Sequence, residues 1–313
     1  MKKIVLIFIF LTSTIFANSS TFYSVVKNVS IVNTQQAIND ALKLQQSLSK
    51  DDFKEFVKSW KKVEAIYLAG DIKSDYLDTV RYIDVYNTLK EDLNSQMARV
   101  VKSSSEVNKA LFKNSFKTIN ALEYILFSDS MDKRKEDLAK AILESIIKNL
   151  NTIKNGYNDY LNSQEENSSL DDAKLINTLI ASSYRLTEWR VGNPAGMSVK
   201  YKNDQKNRRA EYFLSQNSFV AIESILDSYK EILEEKPYKN LSNLAKLKNA
   251  NQDINSVLEK IKQAKEVLAS MKQDDFSNAK ELFNLVSQIH DLYYVTIIEK
   301  LGLKANILDA DGD

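Results

Sequence analysis

The chain has 313 residues, with 43 lysines and arginines against 42 aspartates and glutamates, one histidine and no cysteine. A balance so close to neutral argues against nucleic acid as the main partner, because neutralising phosphates takes a concentrated basic surface. Without cysteine there is no disulfide and no lipid-modified cysteine, so stability has to come from a buried core.

Lys2 and Lys3 precede an apolar run that ends at Ile15-Phe16-Ala17. This is the pattern of a secretory signal peptide over residues 1–17, with cleavage expected after Ala17. The mature chain is then expected to be exported, to the periplasm, and not to be an integral membrane protein. Only six glycines and two prolines occur in the whole chain, which predicts an all-α fold. In order, the patterns predict helices over 22–47, over 53–70 with a capping box at Asp52–Glu55, over 80–102, over 106–127 and over 133–163. The polar run Gln164–Ser169 is the predicted boundary between an N-terminal bundle (18–163) and a C-terminal bundle (164–313). Further helices are predicted over 170–190, 210–235, 238–271 and 276–301, giving two packed up-and-down helical bundles.

The stretch Ala181–Val220 stands out. It holds Trp189, Pro194, Gly192, Gly196 and the arginines Arg185, Arg190, Arg208 and Arg209. Gly192-Asn193-Pro194-Ala195-Gly196 is expected to break the preceding helix and to open a basic loop. A long loop between helices that carries clustered arginines, flanked by Glu188 and Glu211, is a candidate ligand-binding segment.

Two glutamates fall on faces that periodicity marks as buried. Glu64 lies within the Phe53, Phe56, Val57, Trp60, Val63, Tyr67 stripe, and Glu123 lies within that of Phe116, Ile119, Leu126 and Phe127, with Asn120 at its edge. A buried carboxylate must protonate, pair with a cation or bind a metal. The pairing alternative would use an arginine such as Arg81 or Arg185. With no cysteine and a single histidine, His290, zinc is a poor fit; oxygen donors suit iron, calcium or manganese. Asp309, Asp311 and Asp313 alternate like the start of a calcium loop, but no glutamate can follow, and a polar terminus is the simpler account.

Four stretches together resemble the imelysin-like family: Trp60-Lys61-Lys62-Val63-Glu64-Ala65-Ile66-Tyr67; Ile119–Phe127; Glu188–Gly196 with Asn207–Tyr212; and Leu301-Gly302 with Asp311-Gly312-Asp313. The family comprises exported helical proteins grouped with a metallopeptidase and with periplasmic iron-uptake components. The resemblance implies two bundles with a site between them. It also implies metal ligation at a GxHxxE motif, whose positions here are Thr118, Asn120 and Glu123. Asparagine offers a carbonyl oxygen to a hard ion but cannot replace imidazole at zinc.

The leading expectation is a periplasmic protein of iron acquisition. Glu123, Asn120 and Glu64 would hold a metal, and Arg185, Glu188, Arg190, Arg208, Arg209 and Glu211 would bind ligand. The partners would be a metal ion or an anionic metal chelate, together with iron-uptake components of the periplasm or membrane. The alternatives are an imelysin-type metallopeptidase with a glutamate polarising metal-bound water, and a helical interaction scaffold whose buried glutamates are structural.

Overall fold

The computed structural model describes residues 20–88, 91–163 and 168–304. The signal-peptide segment and the terminal aspartates therefore lie outside the described residues. The fold is all-α, and no strand forms among the described residues. The long helices are α1 (Ile31–Ser47), α2 (Lys50–Ala65), α3 (Leu93–Lys102), α4 (Ile119–Phe127), α5 (Lys133–Asn162), α6 (Ser168–Tyr184), α7 (Ser218–Leu233), α8 (Asn251–Ser270) and α9 (Lys280–Asp291). None of the described helices is long and apolar enough to cross a membrane.

The packing follows the apolar faces. Helix α1 lies along α2 and α5, α4 packs on α5, α7 on both α2 and α8, and α9 on α6 and α8. Phe53, Phe56, Val57 and Trp60 of α2 are fully buried within one apolar core that draws on helices from both sides of residue 164. Each such side chain contributes about 1.5–3 kcal/mol on burial.

Several boundaries differ from the pattern-based expectation, for identifiable reasons. The capping residue of α2 is Ser49, whose Oγ accepts from Asp52 N at 3.1 Å. Asp52 serves as its third helical residue, with its carboxylate paired to Lys43 at 2.7 Å, and is not the cap. The helix expected over 80–102 starts only at Leu93, after a 3₁₀ turn (Thr79–Tyr82) and a loop. The helix expected over 106–127 is split, and its last part begins at the Thr118 cap. Helix α7 begins at Ser218, where the carboxylate of the distant Asp274 accepts from the backbone N–H groups of Ser218 and Phe219, both at 2.8 Å. A cap supplied from 55 residues away leaves no local sequence signal.

Gly192 does not break the chain as expected. Helix α6 runs directly into a π-helical segment, Arg185–Gly192, and then into a short turn, Asn193–Ala195, with Pro194 in its first turn. The stop is Gly196, at φ +69°. Gly192 is required for a different reason: a Cβ there would lie 2.8 Å from the Thr187 carbonyl oxygen and 3.1 Å from the Phe283 ring and from Ser198. π-Helical turns are rare and concentrate at functional sites. This one carries Arg185, Glu188, Trp189 and Arg190.

Candidate functional site

The π-helical segment aims Arg190 into a buried cluster of charges. Lys61 and Glu64, one helical turn apart on α2, face it. Asp84 reaches in from the loop after Tyr82, and Glu211 from the turn before α7. Lys61 is fully buried, and its ammonium donates to Glu64 Oε2 at 2.7 Å, Asp84 Oδ2 at 2.8 Å and Glu211 Oε1 at 2.5 Å. An ammonium has three donors, and all three are spent here. Arg190 donates from Nε to Glu211 Oε2 at 2.8 Å and from one terminal nitrogen to both oxygens of Glu64, at 2.7 and 2.8 Å. The cluster therefore ties α2 to the π-helical segment and to the turn before α7.

Asp84 is the most heavily bonded member. Its Oδ2 also accepts from Trp60 Nε1 at 2.9 Å and from the Tyr212 hydroxyl at 3.1 Å, while its Oδ1 accepts from Tyr86 N at 2.9 Å. The Tyr212 ring lies 5.2 Å from the Lys61 ammonium, within cation–π range. Burial acts to raise the Asp84 carboxyl, but Lys61 and these donors hold it well below the usual carboxylate range. Burial likewise works against ionised Glu64, and Arg190 with Lys61 brings it below its ordinary value. Three carboxyl groups face two cations, and the surplus shows at Glu211, where burial outweighs Arg190 and Lys61 and raises the carboxyl to about 7.

The other expected site residues occupy different positions. Glu64, Arg190 and Glu211 meet in the cluster, but the cations bonded to Glu64 are Lys61 and Arg190, not Arg185 or Arg81; Arg81 is exposed and faces Asp78. Asn120 spends its side-chain carbonyl on Val85 N at 2.8 Å, holding the loop that delivers Asp84. Glu123, buried on α4, accepts at Oε1 from Ser215 N at 2.8 Å and from Ser215 Oγ at 2.7 Å. Burial raises the Glu123 carboxyl to about 7, against those two donors. Glu188 accepts from Val199 N at 3.0 Å. Arg209 is bonded to Asp204 and stacks on Tyr201 with 4.0 Å to the ring centroid, while Arg208 is exposed. His290 contacts Ser183 Oγ at 3.0 Å and stacks on Tyr294.

Arg185 is a separate case. It is partly buried and close enough to Glu64, Arg190 and Tyr229 to feel their charges, yet among the described residues its guanidinium has neither a hydrogen bond nor an ion pair. Burial lowers its pKa, with Glu64 opposing and Arg190 adding to the effect.

Among the described residues, one set of three carboxyl groups could share an ion: Glu64, Asp84 and Glu211, each with an oxygen within 4.8 Å of the others. All three of these carboxylates also bond the Lys61 ammonium. As the side chains stand, a resident metal does not fit there, because an internal cation already occupies the position. The sequence points to Glu64, Arg190 and Glu211 as site residues but not to Lys61, Asp84, Trp60 or Tyr212. Lys61 was within reach of the same pattern, since it follows Phe53 and Val57 on the α2 stripe.

The comparisons agree with this architecture. The imelysin family model matches residues 23–295, and the chain belongs to that family. An imelysin-like protein from Psychrobacter arcticum has a similar structure, with a TM-score of 0.76, at 16% identity, over 91% of this chain and 96% of that one. A putative iron-regulated protein A precursor from Parabacteroides distasonis is similar with a TM-score of 0.58, at 12% identity, over 87% of this chain and 92% of that one. No curated protein matches the chain.

Proposed function

We propose that this imelysin-family protein is exported and serves iron acquisition as a binding protein, taking iron as an anionic chelate with Arg185 as the residue that meets the anion. The observation that carries this reading is a filled carboxylate set beside an unpaired guanidinium. Glu64, Asp84 and Glu211 are committed to Lys61 and Arg190, whereas Arg185 next to them has donors to spare. A partly buried guanidinium with no protein partner is free to take a carboxylate or phosphate oxygen bidentately. The association with iron is supported by the family resemblance and by the name of the Parabacteroides distasonis neighbour. Export is supported by the leader pattern at Lys2–Ala17. The test is a titration of the mature chain with ferric citrate and with citrate alone, followed by tryptophan fluorescence. Saturable binding that Arg185→Ala weakens tenfold or more supports the reading, and equal affinity in the two proteins rejects it.

A metallopeptidase is the second reading, and one observation favours it: Glu123, at the motif position, has a carboxyl that titrates near neutrality, as a general base requires. Against it stands Asn120, which occupies the histidine position and is spent on the backbone. Casein cleavage that a chelator stops and Glu123→Ala abolishes would decide for the peptidase.

A further inference from the structure

We infer that Lys61 is a built-in replacement for a metal ion: its ammonium occupies the one position where Glu64, Asp84 and Glu211 could share a cation, and this closes the set to free ions. The inference stands independently of the chelate reading, because it concerns the carboxylates and not Arg185.

The geometry supports it in three ways. The three oxygens converge on one nitrogen at 2.5–2.8 Å, and they come from three separate parts of the chain: one turn further along α2, the loop after Tyr82, and the turn before α7. That is the arrangement of a ligand set around a single centre, not of a pair on one helix face. The lysine is fully buried, and its three N–H donors are all taken up by the three carboxylates. Each of the three residues has a carboxylate oxygen within 4.8 Å of one from each of the others, a spacing that a hard ion taking carboxylate ligands at about 2.1–2.6 Å can span. A lysine tethered to α2 supplies its charge intramolecularly, without the concentration dependence of a free ion. Arg190, the other cation facing the cluster, bonds Glu64 and Glu211 from one side and leaves the Lys61 position clear.

The consequence is that removing the ammonium should create an ion site. Manganese(II) serves as the probe, titrated calorimetrically into the full mature chain as wild type, as Lys61→Ala and as Lys61→Ala combined with Asp84→Asn. Circular dichroism and thermal melts run in parallel. The expected result is no saturable binding in the wild type, one manganese per chain in Lys61→Ala with a melting temperature that rises with manganese, and a loss of about tenfold or more in affinity when Asp84→Asn is added. Lys61→Met, which keeps the packing of the lysine stem, is read the same way and covers the case in which the alanine variant folds poorly. If Lys61→Ala is unfolded alone but folds with manganese, the inference is supported. It is overturned if the wild type binds manganese saturably, if a folded Lys61 variant binds none, or if neither variant folds even with manganese present.

Discussion

Lys61 and Asp84 meet at 2.8 Å with both side chains buried, and this contact joins α2 to a loop that has no regular structure of its own. Asp84 satisfies at once the ammonium, the Trp60 indole, the Tyr212 hydroxyl and a backbone amide, so the aspartate holds the loop and the helix in one geometry. Asp84→Ala removes the shared acceptor of the Lys61 ammonium, the Trp60 indole, the Tyr212 hydroxyl and the Tyr86 amide, leaving buried donors unpaired. We expect a loss of about 3–5 kcal/mol, the usual cost of breaking a buried pair by removing one member. Urea denaturation followed by circular dichroism measures it; a loss below about 1 kcal/mol would mean that the cluster behaves like a surface ion pair.

Arg190 bridges Glu64 and Glu211 through the fork of its guanidinium. Lysine carries a single point charge and cannot reach both carboxylates with the same directionality. Arg190→Lys is therefore expected to cost roughly 1–3 kcal/mol despite keeping the charge. Equal midpoints for the two proteins in urea would contradict the bridging role.

The pH dependence has two limbs of opposite sign. Glu123 has a folded pKa raised to about 7 from an ordinary 4.5, so the folded state holds a proton that the unfolded state releases. Its contribution to stability is present below pH 4.5 and is lost as pH rises towards 7. Asp84 is the reverse case: its depressed folded pKa contributes stability above the ordinary value of 3.8, and that contribution is lost as pH falls below it. Stability should therefore peak in mildly acidic solution. Glu211, whose carboxyl is also raised to about 7, adds to the same upper limb, so Glu123→Gln should reduce that limb without abolishing it; an unchanged slope between pH 4.5 and 7 in that variant would exclude Glu123 as a source.

Gly192 lies inside the π-helical segment with no room for a side chain. Gly192→Ala would press a methyl group onto the Thr187 carbonyl and the Phe283 ring, and we expect a loss of about 1–3 kcal/mol. Because this segment also carries Arg185 and Arg190, the variant should weaken ferric citrate binding even where it remains folded. A thermal melt together with the citrate titration checks both outcomes.

The all-α class and most helix centres were legible because apolar residues recur at helical spacing with few breakers between them. Glu64 and Glu123 stood out as carboxyl groups on apolar stripes; Glu123 is buried by packing, whereas the Glu64 side chain keeps 17% exposure and is held by its salt bridges to Lys61 and Arg190. What those carboxyl groups bind was not legible. One partner of Glu64, Lys61, is a local i,i+3 neighbour, but the other, Arg190, lies 126 residues along the chain, and no local pattern encodes a contact of that range. Asp84 was hidden for another reason: it sits in a loop that periodicity assigned to a helix, so its burial left no trace in the pattern. The π-helical turn escaped too. Gly192 reads as a breaker in a 3.6-residue helix, whereas in the wider turn it is a point of close contact with Thr187 and Phe283.

The most direct measurement is anomalous diffraction at the iron edge from crystals of the mature protein grown with ferric citrate. The account predicts an iron peak beside the Arg185 guanidinium, with the Lys61 ammonium still bonded to Glu64, Asp84 and Glu211. Iron coordinated by those three carboxylates, with Lys61 displaced, would contradict it.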